Sequence, residues 1–163
     1  GKSIEVGNIF KRGTKFSPTF GLHYTDERGA KKPVVMGSYG IGPGRLMATI
    51  AEASHDERGI IWPDTAAPFR VHLIEVKSQK GKVKSNAEAF YKKLLAKGVA
   101  VLYDERDDKS AGEKFADADL IGIPWRVVVS ERSLQKKGIE VKRRSETKTR
   151  VVSAEKLMKM MTK

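Results

Sequence analysis

Residues 99–130 read VAVLYDERDDKSAGEKFADADLIGIPWRVVVS, and this stretch decides the fold. The short apolar runs at 99–103 and 125–130 have the length and composition of buried strands. Between them, Ser-Ala-Gly-Glu at 110–113 matches a capping box, in which a hydroxyl and a carboxylate satisfy the first free N–H groups of a helix. Gly122 suits the left-handed residue that ends a helix. A strand, a helix and a strand in this order predict a right-handed crossover between parallel strands.

The same alternation continues on both sides of this stretch. Three further strands are predicted by β-rich or alternating runs, at 69–76, 138–142 and 147–153. Two further helices are predicted, one from a second capping box at 85–88 to Gly98 and one after the capping residue Ser153. The last two strands form a hairpin and so add antiparallel pairs. The sequence therefore predicts an α/β domain, a mixed five-stranded sheet with flanking helices, over residues 67–163.

The first 66 residues predict a thinner, antiparallel layer. Its strand-like runs lie at 4–10, 20–25 and 32–39, and a helix is predicted at 45–54. A layer of about 60 residues folds alone only marginally, so we expect its exposed face to need a partner. The segment WPDTAAP at 62–68 contains two prolines, which interrupt regular structure. We therefore divide the chain into residues 1–66 and 67–163.

Charge separates the two parts more sharply than length does. The whole chain has a formal net charge of +12, of which residues 1–66 carry +2 and residues 67–163 carry +10. A strongly basic domain indicates a polyanionic partner. The absence of cysteine excludes disulfides and thiolate sites, and the three separated histidines show no metal-ligand spacing, so no metal is expected. No apolar run approaches the length of a membrane span, and we expect a cytoplasmic protein.

A glycine-rich segment, VVMGSYGIGPGRL at 34–46, is the sharpest local motif. Its spacing matches neither the dinucleotide-binding G-x-G-x-x-G pattern nor the Walker lysine motif. Two interpretations follow from the residues alone. The glycines allow close approach of a ligand beside a helix N-terminus, or they form a tightly packed turn between strand and helix.

The segment around Arg45 resembles motif 3 of the class II aminoacyl-tRNA synthetases. Three further segments narrow the resemblance to bacterial-type prolyl-tRNA synthetases: EVGNIFKRGTKFS at 5–17, DERGIIWP at 56–63, and YDER at 103–106 with GEKFADADLIGIP at 112–124. These four motifs occur in the family's order and cover essentially the whole chain. The resemblance implies part of an antiparallel class II catalytic domain, followed by an anticodon-binding domain.

The resemblance also implies an activity and its partners. The family forms prolyl-adenylate from proline and ATP with Mg²⁺, then transfers the prolyl group to tRNA(Pro), and its enzymes are homodimers. Motifs 1 and 2 and the editing domain are expected before residue 1, in a missing N-terminal catalytic half. We therefore expect this chain alone to be inactive and to hold no tightly bound cofactor. The chain could then be either an engineered fragment of such an enzyme or one half of a split enzyme, and the sequence does not distinguish the two.

Site residues are carried over from the family's motifs position by position. Arg45 matches the catalytic arginine that contacts ATP, and the resemblance implies close nucleotide approach at Gly40, Gly42 and Gly44. The implied amino-acid pocket comprises Gly7, Asn8, Phe10, Thr14 and Ser17. The implied anticodon and tRNA contacts are Arg106, Lys114, Asp117, Glu140, Lys142 and Arg144. The structural alternatives are an Arg45 ion pair, turn packing at the glycines and solvated charges at a helix start.

Two other function classes compete with this one. A stand-alone RNA-binding or accessory module with an anticodon-binding-type fold would need no ATP site, so the glycine segment with Arg45 argues against it. A nucleotide-binding enzyme of another family is disfavoured by the glycine spacing. The lysine-rich loop at 77–84 is interpreted as a solvated run.

Overall fold

The computed structural model describes residues 3–76 and 81–162. The chain divides into two compact units, Gly1–Ile50 and Ala51–Lys163. This division falls inside helix α1 (Pro43–Ala53), whereas the proline-rich segment placed it at residue 66. The difference has a physical cause, because residues before 66 already bond to later residues of the second unit. The Trp62 amide donates to the Gly122 carbonyl at 3.1 Å, and its indole Nε1 donates to the Ile121 carbonyl at 2.9 Å.

The first unit contains two small antiparallel sheets. Strand β1 (Gly7–Gly13) pairs with β4 (Met36–Ile41), with Asn8 opposite Gly40. Strands β2 (His23–Thr25) and β3 (Lys31–Pro33) form a hairpin. Many of its large apolar side chains are exposed, among them Ile9, Tyr39 and Ile41. The predicted thin antiparallel layer is therefore observed, with much of its apolar surface unburied.

The second unit is an α/β domain built on five strands. It begins with a short hairpin, β5 (His55–Asp56) and β6 (Gly59–Ile60). The elements that follow are β7 (Val71–Glu75), α2 (Lys82–Ala96), β8 (Val101–Asp104), α3 (Ala111–Ile121), β9 (Trp125–Val129), α4 (Glu131–Gln135), β10 (Ile139–Arg143), β11 (Arg150–Val152) and α5 (Ala154–Met161). The sheet order is β11-β10-β9-β7-β8. Strands β8, β7 and β9 are parallel, and β10 and β11 are antiparallel. The predicted mixed five-stranded sheet is confirmed.

Alternation along the strands divides the core into two layers. Side chains such as Leu73, Val127 and Val141 pack with α2 and α5 on one face. Ile74 and Val128, one residue out of phase, pack with α3 on the other face. The sheet is therefore covered on both faces, by α2 and α5 on one side and by α3 on the other.

Helix boundaries follow the capping signals in part. The predicted capping box of α3 is present, because Ser110 accepts from the Glu113 amide and Glu113 accepts from the Ser110 amide. Helix α2 begins at Lys82 after Gly81, so the expectation of a start at Ser85 is wrong. The Ser85 amide instead bonds to the Gly81 carbonyl at 3.2 Å, inside the helix. Helix α4 was not predicted, although Ser130 caps it. Within the predicted basic loop, residues 77–80 lie outside the described residues.

Candidate nucleic-acid interface

Arg106 and Asp117 form an exposed ion pair beyond the carboxyl end of β8. The Arg106 guanidinium donates to both carboxylate oxygens of Asp104, from Nε at 2.9 Å and from Nη2 at 2.7 Å. Nη2 also donates to Asp117 at 2.8 Å. The Arg106 side chain is 43% exposed, whereas Asp104 is buried. A buried carboxylate therefore orients a guanidinium that remains open to solvent. We call Asp104, Arg106, Lys114 and Asp117 the reading cluster.

Lys114 supports the reading cluster from inside the domain. Its side chain is 1% exposed, and Nζ donates to the Glu75 carbonyl at 2.7 Å. Nζ also lies 3.7 Å from the Asp104 carboxylate. A buried ammonium needs such partners because an uncompensated charge in the interior is costly. Lys114 thus holds the end of β8 against the end of β7.

The charge state of the reading cluster follows from these contacts. Burial raises the pKa of Asp104, but the hydrogen bonds from Arg106 and the nearby Lys114 ammonium outweigh burial and hold that pKa below its usual value. The hydrogen bonds to Asp104 and Asp117 raise the pKa of Arg106. Asp104 and Arg106 are therefore both ionised at neutral pH. The cluster presents a guanidinium and a carboxylate side by side.

Arg144 belongs to a second ionic group. Arg144 directly follows the last residue of β10, at the edge of the sheet opposite to the reading cluster. Its Nη1 and Nη2 atoms donate to the two carboxylate oxygens of Asp56, at 2.8 and 2.6 Å. Its Nε donates to the Asp119 carbonyl at 2.8 Å, and Nη2 also donates to the Gly59 carbonyl. Arg144 is buried and joins the β5–β6 hairpin to the end of α3. We call Asp56, Asp119, Lys142 and Arg144 the clamp.

Lys142 is the other buried cation of the clamp. Its Nζ lies 3.8 Å from the Asp119 carboxylate, which also faces Arg58 and Arg126 at 3.4 Å each. Burial lowers the pKa of Lys142, and the neighbouring arginines lower it further against the opposing effect of Asp119. Lys142 and Arg144 are therefore brought together with each other, but not with Arg106.

Glu140 lies on the same strand as Lys142 but beside a different cavity. It lines an open polar cavity of about 320 Å³ with Arg132, Lys136 and Thr149. Two cations, two hydroxyls and a carboxylate line this cavity. Of the predicted RNA contacts, Arg106, Asp117 and Glu140 thus remain accessible, while Lys114, Lys142 and Arg144 are buried.

The glycine segment forms the end of β4 and the start of α1 in the first unit. Arg45 lies in the first turn of α1 and is 60% exposed. Its Nη1 donates to the Glu5 carbonyl at 3.0 Å and lies 3.7 Å from the Glu5 carboxylate. A Cβ placed on Gly40 or Gly44 would have nothing within 4 Å. The backbone beside Arg45 is therefore open to a ligand.

The predicted amino-acid pocket is only partly assembled within the first unit. Gly7 and Asn8 line an open, mainly apolar cleft of about 650 Å³ with Tyr39, Gly40 and Ile41. Phe10 lies under the Arg12 guanidinium, 4.8 Å from ring centroid to carbon. Ser17 is fully buried, and its hydroxyl donates to the Val34 carbonyl. Thr14 is not among the residues that line the cleft.

Sequence reasoning missed two residues that support the reading cluster. Glu75 accepts a 2.6 Å hydrogen bond from the Tyr103 hydroxyl, and the Tyr103 ring stacks on Tyr91. Burial, followed by the Glu75 contact, raises the pKa of Tyr103. The signal was present, because both residues end predicted parallel strands, whose carboxyl ends meet at one edge of the sheet.

A family model described as "Anticodon binding domain" matches residues 70–163. The chain belongs to the anticodon-binding domain family. The match covers the five-stranded sheet and both flanking layers, so the reading cluster lies inside it. The part of the clamp before residue 70 lies outside it.

The relatives extend the similarity into the first unit. The chain is 49% identical to a proline–tRNA ligase of Parvibaculum lavamentivorans over 144 residues, 88% of this chain and 33% of the relative. It is 45% identical to one of Dehalococcoides mccartyi over 157 residues, 96% of this chain and 27% of the relative. The predicted resemblance to prolyl-tRNA synthetases is confirmed. The chain spans about a third or less of these relatives' length.

A solved structure supports the fold independently. The structure titled "Giardia lamblia Prolyl-tRNA synthetase in complex with prolyl-adenylate" matches with a TM-score of 0.79 and 24% identity, over 94% of this chain and 32% of that chain. At this identity the match shows a shared fold. In the described residues, no helix is long and apolar enough to cross a bilayer. No group of three or more potential metal ligands occurs in that same part of the chain.

Proposed function

We propose that the second unit binds the anticodon of tRNA(Pro) as part of a proline–tRNA ligase. The observation that carries this proposal is the exposed Arg106–Asp117 pair, held by buried Asp104 and Lys114 in a domain of the anticodon-binding family. The +10 charge of residues 67–163 supports attraction to RNA.

The chemistry of the pair suits guanine. A guanidinium donates to guanine O6 and N7, and a carboxylate accepts from N1 and N2. Proline anticodons end in two guanines. Arg106 Nη1 makes no hydrogen bond within the described residues, so a donor is available beside the Asp117 carboxylate. Arg106 and Asp117 are the proposed base contacts.

The other implied RNA residues take different roles in this proposal. Lys114, Lys142 and Arg144 are buried and engaged by protein oxygens, so Lys114 positions the reading cluster, and Lys142 and Arg144 hold the clamp together rather than touch RNA. Glu140 and Lys136 line the open polar cavity, where Lys136 is placed to contact phosphate. Base contacts specify sequence and phosphate contacts do not.

Binding to a proline anticodon stem–loop tests these roles. Arg106→Ala is expected to reduce discrimination between guanine and adenine at the last two anticodon positions by about 1–3 kcal/mol. Lys136→Ala is expected to weaken matched and mismatched loops by the same factor, since a phosphate contact carries no base information. Fluorescence anisotropy titrations at several salt concentrations measure both. Equal losses for matched and mismatched loops in Arg106→Ala would show that Arg106 is only a docking charge.

We infer that the first unit forms one side of the site that activates proline. Exposed Arg45 and the open glycine backbone are placed to contact ATP with its Mg²⁺, since a planar, permanently charged guanidinium binds phosphate well. Gly7 and Asn8 line the cleft proposed for proline, with Phe10 beside them on β1. The rest of the catalytic site comes from the part that the longer relatives carry. The proposed protein partners are this N-terminal catalytic part and a second subunit of the enzyme. The proposed location is the cytoplasm.

A chimeric enzyme tests this inference. The matching third of the Parvibaculum lavamentivorans proline–tRNA ligase is replaced by this chain, and proline-dependent ATP–pyrophosphate exchange is measured. We expect exchange in the chimera and a loss of about 100-fold or more in Arg45→Ala, because phosphate charge is then less well stabilised. Arg28→Ala, in the β2–β3 turn, is the matched control and should retain activity. Retained ATP–pyrophosphate exchange in Arg45→Ala would show that Arg45 does not contact ATP.

A further inference from the structure

An open cavity lies between α2 and α4, on the sheet face that α2 and α5 cover. Its volume is about 290 Å³, near the lower end of the range for ligand pockets. Its apolar lining includes Phe90, Val129, Leu134 and Ile139. Lys93 and Lys137 line it as well, and we call this cavity the lysine slot. The reading cluster depends on α3, which packs on the opposite face of the sheet.

The electrostatics of the lysine slot favour an anion. Neither Lys93 nor Lys137 makes an ion pair within residues 3–76 and 81–162. Ala154, the first residue of α5, also lines the slot, so the partly positive N-terminus of that helix is adjacent. Glu155 follows in the first turn of α5, but no acidic residue of the described chain lines the slot. Two unpaired ammonium groups thus border an apolar lining.

The backbone at Lys137 is strained, and this is the second observation. Lys137 has φ +52°, and it is the sole non-glycine residue with positive φ in the described part of the chain. The turn after α4 requires this conformation, because the Gly138 amide donates to Ser133 and the Lys137 amide to Leu134. The same turn after α2 places Gly98 at the left-handed position, with φ +73°. Lysine is therefore unfavourable for the turn at residue 137 but supplies a cation to the slot.

We propose that the lysine slot binds a compact organic acid. The apolar body of the ligand packs on Phe90, Leu134 and Ile139, and its carboxylate lies between the ammonium groups of Lys93 and Lys137. Charge complementarity selects an acid, since the slot offers two cations and no carboxylate. The slot shares no lining residue with the cavity that holds Lys136, and the proposal does not depend on the proposed RNA contacts.

Binding of 1-naphthoate to the full chain tests the proposal, with isothermal titration and the melting temperature as the two measurements. Lys137→Gly is expected to weaken 1-naphthoate binding by about tenfold or more, because a charge-assisted contact is lost. The same variant is expected to melt at the same or a higher temperature, because glycine relieves the strained turn. Ala89→Trp, on the exposed side of α2 lining the slot, should block binding while the fold is retained. Lys92→Ala, a neighbouring lysine outside the slot, is the matched control and should bind normally.

Three results would overturn the proposal. If Lys137→Gly raises the melting temperature and 1-naphthoate binds unchanged, Lys137 has no ligand role. If the neutral analogue 1-naphthalenemethanol binds as tightly as 1-naphthoate, the slot recognises no carboxylate. If the anticodon stem–loop displaces 1-naphthoate, the two lysines are phosphate contacts for RNA.

Discussion

Gly122→Ala is expected to lower the free energy of unfolding of the second unit by about 4 kcal/mol. Gly122 has φ +82°, where an L side chain costs about 1–2 kcal/mol. An added Cβ would lie 2.0 Å from the Ile60 carbonyl oxygen, so the β5–β6 hairpin and the end of α3 must separate. Such overpacking costs about 1–3 kcal/mol more. Urea denaturation followed by tryptophan fluorescence measures the loss, since Trp62 and Trp125 both lie in this unit.

Gly112→Ala is the matched control on the same helix. Gly112 has negative φ, and a Cβ there would meet only the Ser110 hydroxyl oxygen, at an ordinary 3.9 Å. Alanine is a better helix former than glycine, so this variant should gain about 0.5 kcal/mol. Equal stabilities for Gly122→Ala and Gly112→Ala would show that the hairpin does not pack on α3 as described.

Arg144→Met is expected to lower the free energy of unfolding of the same unit by about 3 kcal/mol. Removing the buried guanidinium leaves its partly exposed carboxylate partner and its carbonyl acceptors unpaired. The affected acceptors are the Asp56 carboxylate and the carbonyls of Asp119 and Gly59. Arg150→Met is the matched control, because the Arg150 ion pair, with Glu146, lies on the exposed surface. That variant should stay within about 0.5 kcal/mol of the wild type.

The pH dependence of stability checks the same pair. The hydrogen bonds from Arg144 hold the pKa of Asp56 well below its usual value. A carboxylate with a depressed folded-state pKa contributes stability above its unfolded pKa of about 3.9, and that contribution is lost as the pH falls through the folded pKa. The wild type should therefore lose stability below about pH 4 more steeply than Arg144→Met. Parallel curves for the two proteins would contradict the clamp.

Short-range signals in the sequence were enough to predict most strands and helices of the second unit and the mixed character of its five-stranded sheet. The capping box at Ser110, the stop at Gly122 and the apolar runs on either side are short-range signals, and each acts within one turn or one strand. The alternation of strands and helices then predicts parallel strands, whereas the position of β7 between β8 and β9 was not predicted. The family resemblance singled out Arg106 and Asp117, but their ion pair was not predicted and is a finding of the structure.

Tertiary structure alone decided which charged residues are buried. Lys114, Lys142 and Arg144 have the composition of a solvated basic surface, and lysine and arginine are rarely buried unless paired. Their partners lie far away along the chain: Glu75 is 39 residues from Lys114, and Asp56 is 88 residues from Arg144. No local pattern encodes such pairs. The start of the second unit depends on the same contacts, because the clamp and the end of α3 bind the β5–β6 hairpin to the rest of the unit. These charges are buried because folding brings a compensating carboxylate or carbonyl to each of them, which the sequence pattern does not reveal.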